Sequence, residues 1–145
     1  MIPLAQVNGS AGLDDALIGV LVTRFYARIR HDPELGPVFE RRLAGRWDAH
    51  LDTMVAFWSS VILRTGRYGG KPHAAHAGLG LDEAHFARWL GLFQATAREV
   101  LPADIAALFV DRAERIAESL QIGLGLGPKA LHLPIAQPAS GQPAP

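Results

Sequence analysis

Gly66-Arg67-Tyr68-Gly69-Gly70-Lys71-Pro72-His73-Ala74-Ala75-His76 is the stretch around which the rest of this 145-residue chain is organised. Its glycines close off a preceding helix. Pro72 sits where a first-turn proline is tolerated, so a helix of only about one or two turns is expected to open there and reach His76. Ala74, Ala75, Ala77 and Gly78 are all small, which leaves His76 uncrowded. A histidine presented in this way can be a metal ligand, a helix cap or a solvated surface residue, and the spacing of the segment alone does not choose among them.

Helical spacing extends outward on both sides of this segment. Upstream, Trp47, His50, Leu51, Met54, Val55, Trp58 and Ile62 share one face of a helix expected from about Trp47 to Arg64 and ended by Gly66. Further upstream, Leu13, Leu17, Leu21, Val22, Phe25 and Ile29 mark a first long helix, with Ser10, Asp14 and Asp15 supplying acidic or capping character at its start. His31-Asp32-Pro33 stops that helix, because the residue before a proline is pushed out of the α region. Pro33 to Leu43 then reads as a tight turn and a short helical piece.

Downstream, Gly78 and Gly80 end the short helix, and Asp82 is a plausible N-cap for another with Phe86, Trp89, Leu90, Phe93 and Ala97 on its buried face. Pro102 marks a junction. A last helix from about Ala103 to Gln121 places Ile105, Leu108, Phe109, Arg112, Ala113, Ile116 and Leu120 at i, i+3, i+4 spacing. These boundaries give one domain over residues 13–122, preceded by a lead-in over 1–12. The Gly/Pro/Ala-rich stretch 123–145 carries too little apolar surface to offset its ordering entropy and is expected to be a disordered tail.

Composition narrows the class. Hydrophobic residues make up 49% of the chain, with β-branched residues too scattered for a sheet, so an all-α fold is expected. Fourteen basic residues balance fourteen acidic ones, leaving no net field to draw nucleic acid or an anionic membrane. With no cysteine, disulfides, iron–sulfur clusters, thiolate haem ligation and cysteine nucleophiles are all excluded, and any metal must be held by nitrogen or oxygen. The N-terminus lacks the charged and apolar regions of an export signal, and no apolar run is long enough to span a bilayer. A cytoplasmic location is therefore the default expectation.

Several side chains bear on His76. Zinc on His73 and His76 lacks an evident second pair of ligands at matching spacing. Tyr26, beside Phe25 on the first helix, has a hydroxyl that requires a partner if buried and can donate to an oxygen ligand on iron. His50 lies on an apolar face between Trp47 and Met54, as either a core histidine or a group facing a ligand. Trp58, Trp89, Phe39, Phe57, Phe86 and Phe93 serve equally as core aromatics or as flat walls for a flat cofactor, and Trp89 adds an indole N–H donor. Arg67, Tyr68 and Lys71 belong either to an ordinary solvated loop or to a pocket rim where haem propionates are met. Taken together, these residues read as the two sides of a haem pocket.

The ordered motifs carry a family likeness. Phe25-Tyr26 is followed by Asp32-Pro33-Glu34-Leu35-Gly36-Pro37-Val38-Phe39, then His50-Leu51, Phe57-Trp58, Gly66-x-Tyr68-x-Gly70-x-Pro72 leading to His76, and Phe86-x-x-Trp89-Leu90-x-Leu92-Phe93. From about Leu13 to Gln121 the chain resembles the truncated haemoglobins, specifically the third group. The paired-glycine signatures of the other two groups are missing, as they are in the third, while His73 and the Pro-rich tail depart from the pattern. The resemblance implies a two-over-two helical sandwich around a b-type haem. In it His76 takes the proximal position on the iron, Tyr26 and Trp89 line the distal side, and His50 occupies the distal-helix position.

The expected function is binding of dioxygen, nitric oxide and carbon monoxide at a single iron. Several distal donors slow oxygen loss, which points away from oxygen delivery and toward ligand sensing, nitric oxide dioxygenation or peroxide chemistry. Turnover then requires an external reductase. Two other classes remain open on sequence grounds: a cofactor-free helical interaction module, and a zinc-binding helical protein.

Overall fold

The computed structural model describes residues 13–70 and 72–126. The expected lead-in, Lys71, the chain from 127 onward and the side chains of His73 and Ala74 lie outside the described residues.

Helix α1 (Asp15–His31) starts at an acidic cap: the Asp14 carboxylate accepts a hydrogen bond from the Leu17 amide at 3.0 Å. Its inner face buries Ile18, Leu21, Val22, Phe25, Tyr26 and Ile29. The chain then turns at Asp32, whose buried carboxylate accepts from the amides of Glu34 and Leu35 at 3.0 and 2.8 Å and so organises the first turn of α2 (Leu35–Leu43). Arg88 Nε donates to the same carboxylate at 2.7 Å, and this bond holds Asp32 below the usual carboxylate range. At Gly36, α2 comes so close to the end of α1 that a Cβ would lie 2.7 Å from the Arg30 carbonyl oxygen. Glycine permits that approach.

Helix α3 (Trp47–Trp58) does not run as one α-helix to Arg64 as its periodicity suggests; it widens into a π-helical segment, Ser59–Leu63. Two adjacent serines sit at the change. The buried Ser59 hydroxyl bonds that of Thr65 at 3.0 Å, and Ser60 Oγ accepts from the Tyr68 amide at 2.9 Å, so their side chains serve the following loop. The helix stops at Arg64, which takes the left-handed conformation (φ 60°) ahead of Gly66 (φ 73°).

Helix α4 (Pro72–His76) is a single turn. Helix α5 (Glu83–Val100) opens with a capping box, the Asp82 carboxylate accepting from the His85 amide while the His85 ring accepts from the Asp82 amide. After Pro102, helix α6 (Ala103–Gly123) runs past the expected boundary at residue 122. Leu124 and Leu126 also pack against Phe86, Ala117 and Leu120, so residues 123–126 belong to the domain and not to a disordered tail.

Helix α1 packs on α3, α5 packs on α6, and the two pairs meet where α1 contacts α5. Helix α2 bridges α1 and α5, while α4 rests on α6. This is the expected two-over-two sandwich, with no strand among the described residues. At its centre Phe25, Phe93 and Phe109 are fully buried, each worth about 1.5–3 kcal/mol of transfer free energy. Among the described residues no helix is long and apolar enough to cross a membrane.

Candidate functional site

Side chains from α1 through α6 converge on one cleft containing about 990 Å³ of space, part of it open to solvent. Its walls are largely apolar. Tyr26, Phe39, His50, Phe57, Trp58, Tyr68, His76, Phe86 and Trp89 all line it. Arg67 does not: its guanidinium pairs with Asp15 at 2.8 Å, at the start of α1. Lys71 lies outside the described residues. Phe93 and Trp47 stand back from the lining. Trp89 and Trp58 both stack on Phe93, at centroid distances of 5.5 and 5.1 Å, which makes Phe93 a support for two cleft walls. The Trp47 indole N–H donates to Glu40 at 2.9 Å, and the Arg30 guanidinium covers its ring.

His76 is oriented by its own short helix. Its Nδ1–H donates to the Pro72 carbonyl oxygen at 2.6 Å. A carbonyl only accepts, so the neutral ring carries its proton on Nδ1 and leaves the Nε2 lone pair for a ligand. A one-turn helix has many unsatisfied carbonyls at its end. Here Arg42 supplies the donors, to Ala75 at 2.5 Å and Ala77 at 3.0 Å, and Arg41 reaches Leu79 at 3.2 Å. These bonds tie the turn bearing His76 to α2.

Tyr26 and His50 come together from α1 and α3, their rings edge to face with centroids 4.8 Å apart. Burial pushes the Tyr26 phenol well above its ordinary pKa, so its hydroxyl stays protonated and available as a donor. For His50, burial acts first and the nearby His76 second, bringing its pKa down to about 4 and keeping it neutral near pH 7. Its Nε2 is buried with no hydrogen-bond partner among the described residues. Such an atom costs about 1–3 kcal/mol, a penalty that a polar ligand in the cleft removes.

His85 was missed on sequence grounds and also lines the cleft. The available signal was its position four residues before Trp89, hence on the same face of α5. Among the described residues no cluster of three or more His, Cys, Asp or Glu is placed to hold a metal, which leaves the zinc alternative without a ligand set there. The residues present do fit a haem: an imidazole whose Nε2 is left over from the Pro72 bond, flat aromatic walls, and the polar pair Tyr26 and His50 in a largely apolar cleft.

No family model matches the chain. Over 108 residues it is 30% identical to the Group 3 truncated hemoglobin ctb of Campylobacter jejuni, an alignment spanning 72% of this chain and 85% of that protein. The crystal structure of a group III truncated hemoglobin from the same organism aligns with a TM-score of 0.71 and 28% identity, over 74% of this chain and 88% of that one. By this likeness in sequence and in fold the chain belongs to the group III truncated haemoglobins.

Proposed function

We propose that the chain holds a b-type haem through His76 Nε2 and binds dioxygen, nitric oxide or carbon monoxide on the side lined by Tyr26, His50 and Trp89. Haem supplies the iron at which such ligands bind. The observation that carries this reading is the unpartnered, buried Nε2 of His50 beside a protonated Tyr26, in the same cleft as a His76 whose Nε2 is free.

The roles of the side chains follow from their chemistry. Accepting the Nδ1 proton, the Pro72 carbonyl holds the His76 ring in one tautomer and makes its other nitrogen more basic. The Tyr26 hydroxyl, neutral His50 and the Trp89 indole N–H are donors to a ligand carrying partial negative charge, and bonds of that kind are roughly twice as strong as neutral ones. The apolar walls exclude water and so strengthen them further. Retention by several donors supports sensing, or nitric oxide or peroxide chemistry with an external reductase, over oxygen delivery. Family membership favours neither the cofactor-free module nor the zinc protein.

A visible absorption spectrum of the purified protein, with and without added haemin, tests the reading. A Soret band that titrates to one haem per chain is expected; a colourless protein indifferent to haemin overturns it.

A further inference from the structure

We propose that His85 is a carboxylate-binding residue of the cleft, its Nε2–H donating to a haem propionate; this rests on the haem reading above. His85 stands on the cleft wall, yet its side chain is 21% exposed, so it belongs to the rim where the apolar lining meets water. The capping box dictates where its proton lies. Nδ1 accepts the Asp82 amide N–H at 3.0 Å, which requires a lone pair there and puts the proton of the neutral ring on Nε2. The nitrogen left over from the cap is therefore a donor.

The need for such a donor comes from the cofactor. A haem brings two carboxylates, which are costly to place at an apolar rim without partners. Among the described residues no Lys or Arg lines the cleft, Arg67 being drawn off to Asp15. Of the partly exposed polar side chains on its walls, Thr53 already donates to the Ala49 carbonyl at 3.0 Å, and His76 is engaged with Pro72. Tyr68 shares the rim, with its hydroxyl turned against Gly70, where an added Cβ would lie 2.5 Å from it. Among the described residues His85 has its donor nitrogen uncommitted.

Haem transfer from the holoprotein to an acceptor apoglobin tests the assignment, comparing ordinary haemin with its dimethyl ester, which keeps the ring but lacks the carboxylates. His85→Leu should lose ordinary haem about tenfold faster, the equivalent of one charge-assisted hydrogen bond, and lose the ester at the wild-type rate. Asp82→Ala removes the other half of the cap and leaves the ring, so any effect it has should fall equally on both haems. His85→Glu, whose carboxylate can still accept the Asp82 N–H but carries no donor, should show the same selectivity and stands in if the leucine variant does not fold. Equal acceleration for haemin and ester in the His85 variants makes the role purely structural and overturns the assignment. A wild-type protein with no Soret band overturns the haem reading itself, and the two failures are thereby told apart.

Discussion

Pro72 and His76 form a self-contained unit: the first residue of α4 accepts, through its carbonyl, the Nδ1–H of the last, at 2.6 Å. The proline lacks an amide to contribute to the helix, yet its carbonyl decides which imidazole nitrogen is left bare. Tautomer and ring direction are therefore set within one turn, before any packing against the rest of the domain.

His76→Gly should lower haem affinity by more than about 100-fold, since even the loss of a ligand's supporting partner costs 10–100-fold. Added imidazole should restore much of it by filling the space of the lost ring. Haemin titration with and without imidazole reads both outcomes, and an unaltered ferrous spectrum in the variant would show that another residue holds the iron.

Tyr26→Phe removes the one hydroxyl that burial keeps protonated beside His50. Oxygen dissociation, followed by stopped-flow, should accelerate by roughly 10–100-fold, in line with a lost hydrogen bond to a charged acceptor. Carbon monoxide carries little charge at its outer atom, so its release should change far less.

Neutral burial of His50 gives the haem-free protein a defined pH dependence. The unfolded residue titrates near 6.5 and the folded one at about 4. Above 6.5 both forms are neutral and nothing is at stake. As pH falls from 6.5 toward 4 the unfolded chain takes up the proton first, so stability declines through that window and the decline from this residue ends below it. Unfolding free energies from denaturant titration at pH 7 and pH 4.5 should differ by less in His50→Leu than in wild type, by roughly 2 kcal/mol once the partial exposure of the ring is allowed for.

Gly36→Ala should destabilise the domain by about 1–3 kcal/mol, because the added methyl meets a backbone carbonyl that cannot rotate away. A lower melting temperature with an unchanged Soret band is the expected pair of results. A wild-type melting temperature would mean that α1 and α2 separate easily.

Much of the site was legible because its residue types are unusual for their positions. A histidine on an apolar face, a tyrosine beside a core phenylalanine and a histidine among alanines each stand out against helical periodicity, and the structure gathers Tyr26, His50 and His76 around one cleft. His85 escaped notice because a residue three places into a helix has an ordinary reason to be polar, and it does serve as the cap partner of Asp82. Arg67 misled in the opposite way. Its proximity in sequence to His76 suggested a rim residue, whereas the nearest available charge in space is Asp15, 52 residues away in the chain (67 − 15).

Interactions that close within a turn or two follow from neighbouring residues alone. These are the caps at Asp14 and Asp82, the stop at Asp32-Pro33 and the opening of α4 at Pro72, since each couples neighbours a few residues apart and depends on no distant partner. Whatever requires two remote segments at once emerges from the packed fold. Where α3 widens into a π turn, which arginines hold the end of α4, and how burial with His76 nearby keeps His50 neutral all depend on positions in space that periodicity does not encode. Local hydrogen bonding chose the helices, and desolvation between helices made a cleft of their histidines.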